Sequence, residues 1–420
     1  MVTVAEQATP PLPLRAEQVR TFGALGNNTF RQLWASSWAY YTYRAMELAV
    51  LSWLVLETTN SPTLVALVGA MRSIPMFLLG FSSGAMADRL PRRQVMVSAQ
   101  LVNVAVGATM LLLLAAGQSQ PWHAFIAILI TGASWAVDFA TRRAFLADIF
   151  TGRALTNAMA LDIGLLNATN LTGPIIGTVL IRLGGFPGAY AGITLLALTG
   201  LALVLTVAAP RRPRSTAAQN PLKQLRAGVG LLRANRAARA AVLVTIALNL
   251  FGWPMSQMVP VIARDVLGTS EVLYGVLAGS IGMGAIVGAV LLATFSPTKH
   301  GAVYVSGTLL WFVASLVFAA SPWYLLSLFA LLTAGIGIVM FGIMQPIIAL
   351  NAVAPEERGR AIGAVVLGIG ASPPGMVLIG LLADWLGPQI GLAIMSGTGL
   401  LVTLLLRRAF ASLRDQPERR

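Results

Sequence analysis

Gly84-Ala-Met-Ala-Asp88-Arg89-Leu-Pro-Arg92-Arg93 joins two apolar stretches, about Thr63 to Ala87 and Val95 to Gly117. A helix needs about 20 apolar residues to cross a hydrocarbon core. Each flank is therefore long enough to span, and the charged segment turns the chain at a membrane surface. Gly84 lets helices approach closely, and Asp88 suits the free amides of a helix N-terminus. Arg92 and Arg93 are placed to pair with an acid on a neighbouring helix end, where Asp148 closes the fourth apolar stretch.

Outward from this loop, apolar stretches recur along the chain. On the N-terminal side lies about Gln32–Leu56; beyond the loop come His123–Phe145, Leu155–Ile181 and Ala189–Ala209. Residues 210–239 then hold eight basic residues and no acid. Six more stretches follow at about 240–263, 272–295, 301–320, 322–346, 361–383 and 390–406. The expected organisation is a disordered cytoplasmic tail (1–27), a six-helix half (28–209), a basic cytoplasmic linker (210–239) with an amphipathic helix over 222–239, a second six-helix half (240–406) and a short cytoplasmic tail (407–420).

Composition agrees. The 420 residues are 56% hydrophobic and 10% charged, with 41 Gly, 22 Pro and no Cys, and the mean hydropathy is +0.76. About a quarter of an ordinary soluble domain is charged, so soluble, disordered and disulfide-built folds are excluded. The net charge of +14 suggests nucleic acid only until its placement is read. With both termini in the cytoplasm, all of the 29 Lys and Arg fall on that side except Arg182 and Arg264 outside and Arg44 and Arg72 within spans. This positive-inside bias sets the orientation, and anionic headgroups rather than nucleic acid account for the charge. The expected location is the inner (plasma) membrane.

Several chemistries are missing. There is no phosphate-binding G-x-x-x-x-G-K-[ST] loop and no H-E-x-x-H zinc motif. The two histidines, His123 and His300, form no metal pattern, and no nucleophile has a paired base. The expectation is no enzyme, no cofactor and no metal.

The Gly84–Arg93 segment resembles the loop between helices 2 and 3 of the major facilitator superfamily, G-x-x-x-D-R-x-G-R-R, with Pro91 in place of the second glycine. Asn28–Trp34 (NTFRQLW), Pro260–Gly268 (PVIARDVLG), Ala354–Ala364 (APEERGRAIGA) and Gly380–Gly387 (GLLADWLG) are similar to the branch of multidrug, macrolide and siderophore exporters that includes the enterobactin exporter. Gly173-Pro174-Ile-Ile-Gly177 is similar to the G-P-x-x-G-G export motif of drug:proton antiporters, with Thr178 at the second glycine and Ala160 and Thr169 at upstream glycine positions. The alternative for this stretch is a proline kink with small residues for packing. The resemblance implies an all-α fold of twelve transmembrane helices in two pseudo-symmetric halves, a monomer, and a cytoplasmic gate at Gly84, Asp88, Arg89, Arg92, Arg93 and Asp148.

Ionised groups in hydrocarbon cost about 2.5–3.5 kcal/mol on insertion scales, so those inside spans need partners or a cavity. Arg44 and Glu47 share a face of helix 1 and are placed to pair. Arg72 lies in helix 2, Asp138 and Arg142 in helix 4, and Asp162, with an interfacial place expected, in helix 5. Glu47 or Asp138 is the expected proton carrier, tuned by Arg44, Arg72 or Arg142. Burial favours a neutral carboxyl, and a nearby arginine favours the anion. A static salt-bridge network is the other reading of the same residues. A small-molecule path is expected along Trp38, Tyr41, Trp135, Asn167, Asn170, Trp253, Met255, Gln257, Met258, Met344 and Gln345, because aromatic and Met side chains adapt to apolar cargo. Gly275, Gly279, Gly284 and Gly288 form close-packing faces, and Pro373-Pro374-Gly375 is expected to bend or break helix 11. Proton-coupled export of an amphipathic compound by alternating access is the leading expectation. Uptake of a metabolite or lipid translocation on the same fold is the alternative, and a membrane sensor lacks any output domain.

Overall fold

The computed structural model describes residues 23–89, 91–208, 230, 235–295, 297–351, 353 and 357–409; of these, the side chains of 79–89, 237, 358, 359, 362 and 409 are outside the description. The described residues form helices and no strand. In chain order they are α1 Asn28–Thr59, α2 Pro62–Arg89, α3 Arg92–Ala115, α4 Pro121–Ile149, α5 Gly152–Thr206, α6 Arg236–Ala247, α7 Met255–Val261, α8 Glu271–Phe295, α9 His300–Ala320, α10 Tyr324–Asn351, α11 Arg358–Ile369, α12 Ser372–Leu386 and α13 Pro388–Ala409. A 3-10 turn, Gly23–Gly26, precedes α1, and π-helical turns Leu248–Gly252 and Ile262–Val266 flank α7.

Among the described residues nine helices or helical runs are long and apolar enough to cross a membrane; α2 is apolar over Pro62–Leu78, and α1 is not among the nine. The reason is position. The middle and far part of α1 is buried on nearly every side, from Ala39 to Leu56, so it meets other helices rather than lipid and can carry tyrosines, Arg44 and Glu47. Helices on the bundle surface instead expose leucines such as Leu112, Leu183 and Leu195, as lipid contact demands.

Chain turns at one end are tight. Asn60, Gly117, Gly185, Gly268 and Gly387 all take positive φ, and each follows or breaks a helix. Such left-handed caps satisfy carbonyls that a helix end leaves orphaned. The turn at Gly184–Gly185 lies inside α5, whose two helical arms break in φ and ψ there. The arms fold against each other: a methyl on Gly192 would lie 2.5 Å from Leu180 Cδ1. The expected fifth and sixth stretches are the two arms on either side of this break.

Small residues set the contacts, since lipid gives helices no hydrophobic reason to associate. Gly173 and Gly177 admit α1, with ideal methyl positions 2.5 Å from Ala45 Cβ and 3.1 Å from Val50 Cγ2. The glycines of α8 divide between two partners. Gly275, Gly279 and Gly282 face α5, whereas Gly284 and Gly288 face α10 at Leu332, Gly335, Ile336 and Val339. Gly380 brings α12 onto Thr63 and Ala66 of α2. The first and second parts of the chain are therefore joined chiefly through α5 with α8 and α2 with α12.

Two expectations change. Part of the expected 1–27 tail packs on the bundle, because Ala24 is buried and its N–H donates to Asn157 Oδ1 at 3.2 Å; residues 1–22 lie outside the described residues. The break in the eleventh stretch falls at Gly370–Ala371, before the prolines. Pro373 and Pro374 start α12, where a missing N–H removes no helical bond. Of the expected amphipathic linker helix, residues 222–229 and 231–234 lie outside the described residues, and α6 begins at Arg236, capped by the Asn235 side chain.

Candidate functional site

The ionic residues of the first part converge between α1, α2, α4 and α5. Tyr40, Tyr43, Arg44 and Glu47 occupy one face of α1 by helical spacing. With Arg72 of α2 and Thr131, Gly132 and Trp135 of α4 they line a narrow cleft. Gly132 makes this possible: a methyl there would stand 2.7 Å from Arg72 O, so only glycine lets α2 and α4 meet at this level.

Inside the cleft the charges are not paired as their spacing suggested. Glu47 is 1% exposed. Its carboxylate accepts from Tyr43 OH at 3.0 Å and from Thr131 Oγ1 at 2.8 Å. Arg44 turns away and lays its guanidinium over the Trp135 ring, 4.0 Å from the centroid. Arg72 donates to the Arg44 carbonyl oxygen at 3.2 Å. Among the described residues, Glu47 makes no ion pair within 4.0 Å. A buried carboxyl held only by neutral donors gains less than one facing a cation.

Asp138 sits differently. It is fully buried and bound by Arg142 of the same helix at 2.5 Å. Arg142 also donates to Ser37 Oγ at 3.0 Å and Ser36 Oγ at 3.3 Å of α1, and lies 5.3 Å from the Tyr40 ring centre. This pair stitches α4 to α1. Asp162 is also buried, and Tyr41 OH donates to both its oxygens at 3.0 and 3.1 Å.

The remaining expected path residues separate by exposure. Trp38 and Trp253 stand 46% and 40% exposed, whereas Tyr41, Trp135, Met255, Gln257, Met258, Met344 and Gln345 are buried; Asn167 and Asn170 are half-buried. Trp253 stacks parallel to Trp311, with centroids 6.1 Å apart. Gln257 lies against Gly69 of α2, whose ideal methyl would fall 2.3 Å from the amide carbon. Gln345 Nε2 donates to Thr245 Oγ1 at 3.0 Å, and Thr245 shares a 2.9 Å hydrogen bond with Tyr304 OH. The later part of the chain thus supplies amides and hydroxyls at this level, and the first part supplies ions.

At the opposite end from the tight turns, Arg92 pairs with Asp148 at 2.5 Å and also donates to Ala144 O. Arg93 donates to Leu205 O. These bonds tie the start of α3 to the ends of α4 and α5. The backbone of α2 is helical through Arg89, and the side chains of Gly84, Asp88 and Arg89 lie outside the described residues.

Gly173, Pro174 and Gly177 occupy a junction of three helices. The two glycines face α1, while Pro174 O and Thr178 face Gly275 of α8. An ideal methyl on Gly275 would lie 2.0 Å from Thr178 Oγ1 and 2.9 Å from Pro174 O. The glycine absent at position 178 therefore has its counterpart across the interface. Gly275→Ala is expected to destabilise by about 1–3 kcal/mol through overpacking, read as a lower melting midpoint in detergent. Adding Thr178→Gly removes the nearer clash and is expected to recover part of the loss; no recovery would contradict this packing.

Reading single helices missed Tyr43, Thr131, Ser36 and Ser37. Tyr40, Tyr43, Arg44 and Glu47 do follow i, i+3, i+4, i+7 spacing, and Thr131, Trp135, Asp138 and Arg142 follow i, i+4, i+7, i+11, so both faces were present as patterns.

A buried, ion-bearing junction between apolar helices is the kind of site that membrane transporters carry. The chain belongs to the transmembrane secretion effector family of the major facilitator superfamily, which it matches over residues 19–417. It is 19% identical over 366 residues to macrolide efflux protein A of Streptococcus pyogenes, covering 85% of this chain and 90% of the relative. It is 20% identical over 377 residues to the staphyloferrin A transporter of Staphylococcus aureus (strain NCTC 8325 / PS 47), covering 84% and 89%. Among solved structures it resembles a bacterial homologue of the human lysosomal transporter Spinster, in an inward-facing and unoccupied conformation (TM-score 0.71, 12% identity, 93% and 99% covered). It also resembles an auto-inhibited POT family peptide transporter (TM-score 0.73, 13% identity, 94% and 99% covered).

Proposed function

We propose that the protein is a proton-coupled exporter of amphipathic small molecules, of macrolide or siderophore type, working by alternating access in the plasma membrane. On this reading α1 and α2 also cross the bilayer, the two arms of α5 cross separately, and twelve spans fall into halves 28–209 and 240–406. Both termini face the cytoplasm, as the placement of basic residues supports.

The observation that carries the coupling is the setting of Glu47. Among the described residues of the first half three carboxylates are buried: Asp138 in a salt bridge to Arg142, Asp162 bonded by Tyr41, and Glu47 bonded by Tyr43 and Thr131. Glu47 alone lines the cleft, without a cation bonded to it, beside Arg44 and Arg72. The cleft is closed to a water-sized molecule in this state, so it does not hold the cargo. Cargo is assigned to the exposed indoles of Trp38 and Trp253 and to the amides around them. Relatives named for macrolide and staphyloferrin A transport support the direction and the cargo class.

The test is accumulation of a dye and macrolide panel in cells making the protein, with and without a protonophore. Lower steady-state accumulation that the protonophore reverses is the expected result. Net inward movement, or efflux indifferent to the protonophore, would overturn the proposal.

A further inference from the structure

We propose that Arg264 is the clasp that holds the tight-turn end closed between the two halves, and that losing it shifts the protein toward the state open at that end. The proposal rests on the alternating-access reading above, but not on cargo or coupling ion.

Several bonds that described side chains make between the halves lie at one end of the bundle. Arg264 Nη1 donates to Leu56 O of α1 at 2.8 Å. Ser61 donates to Asp384 Oδ2 at 3.3 Å, Tyr274 OH to Ala49 O at 3.5 Å, and Arg182 stands 4.0 Å from Glu271. Trp53 and Tyr274 stack at 5.1 Å with planes 14° apart. The Ser73–Met376 contact lies deeper. These contacts link α1, α2 and α5 to α8, α12 and the end of the seventh span.

Arg264 is set apart from the others by how it is held. It lies within the π-helical turn Ile262–Val266, closed by Leu267 N donating to Ile262 O at 2.9 Å. Such turns cost helical regularity and recur where a side chain must be re-aimed. Thr269 then donates to Ala263 O through both its N–H and its hydroxyl, and Gly268 turns the chain at φ 61°. Asp265 accepts from Arg264 Nε at 2.6 Å, fixing the guanidinium plane. The remaining arm of the fork reaches the last turn of α1, where carbonyls carry the negative end of the helix dipole. Leu56 O also accepts from the capping Asn60 N–H at 2.9 Å. A cation from one half thus closes a helix terminus of the other. Opening that end must break this charge-assisted bond, while the Arg264–Asp265 bond travels with its own half. Lysine has one point of attachment and does not reproduce the planar fork.

The sequence has no cysteine, so reporter thiols can be added to the natural chain. Spin labels at Thr58→Cys and Ser270→Cys report the tight-turn end; labels at Thr151→Cys and Asn351→Cys report the other. Pulsed dipolar distances are measured in nanodiscs for Arg264, Arg264→Ala and Arg264→Lys. Arg264→Ala is expected to raise the ratio of long to short distances at the first pair roughly tenfold, the scale of one lost charged hydrogen bond, and to shorten the second pair in the same sample. Arg264→Lys is expected to fall between. An unchanged first pair overturns the proposal. So does a longer first pair with an unchanged second, because that pattern is local fraying rather than alternation. Either failure leaves the export and coupling reading standing, since neither is read here.

Discussion

Replacing Arg142 with methionine is expected to destabilise the protein by about 3–5 kcal/mol, the usual cost of leaving one member of a buried ion pair behind. Asp138 is fully buried, and its Oδ1 already has no hydrogen-bond partner, so the whole carboxylate depends on the Arg142 contact at Oδ2. The substitution also frees the hydroxyls of Ser36 and Ser37, which Arg142 bonds across to α1. Unfolding of the detergent-solubilised protein, followed by tryptophan fluorescence, checks the figure. The second half of the prediction is sharper. Asp138→Asn in the same chain removes the stranded charge, and replacing a buried pair by neutral groups is often without net cost. The double variant is therefore expected to recover most of the loss. A double variant as unstable as Arg142→Met alone would mean that shape, not charge, makes the pair matter.

The second large effect is on function rather than stability. Glu47→Gln keeps the shape of the side chain and an oxygen for Tyr43 or Thr131, whose hydroxyls are able to reorient. The fold is expected to persist and the bond pattern around α1 and α4 to remain. What the glutamine lacks is a proton to gain and lose. In vesicles with an imposed pH gradient, uphill movement of a labelled macrolide is expected to drop to the level of protein-free vesicles. Exchange of labelled for unlabelled macrolide without a gradient is expected to continue. Loss of both would mean that Glu47 serves binding or folding, and loss of neither would remove it from the mechanism.

Much of this arrangement was legible in single helices. The positions of Arg44, Glu47, Asp138 and Arg142 follow from helical spacing, and the Arg92–Asp148 pair followed from charges at two adjoining helix ends. The gap between the apolar stretches ending at Ile181 and starting at Ala189 holds the break in α5. Spacing failed where a partner came from a third helix. Arg44 and Glu47 share a face, yet Trp135 of α4 holds the guanidinium and Thr131 of α4 bonds the carboxylate. Nothing in α5 indicates that Tyr41 reaches Asp162 from α1. The low hydropathy of α1 had the same origin, since its burial is a property of the packed bundle. The π-helical turn that aims Arg264 has no local marker, because widening a turn by one residue leaves composition and period almost unchanged.

The central claim is that Glu47 exchanges a proton as cargo binds, and its most direct test is proton release from solubilised protein. A macrolide is added to purified protein in weakly buffered detergent with a pH-indicating dye, and the release is compared with that of Glu47→Gln and of Asp138→Asn/Arg142→Met. The account predicts release from the native protein and from the double variant, and none from Glu47→Gln. Equal release from Glu47→Gln and the native protein would contradict it.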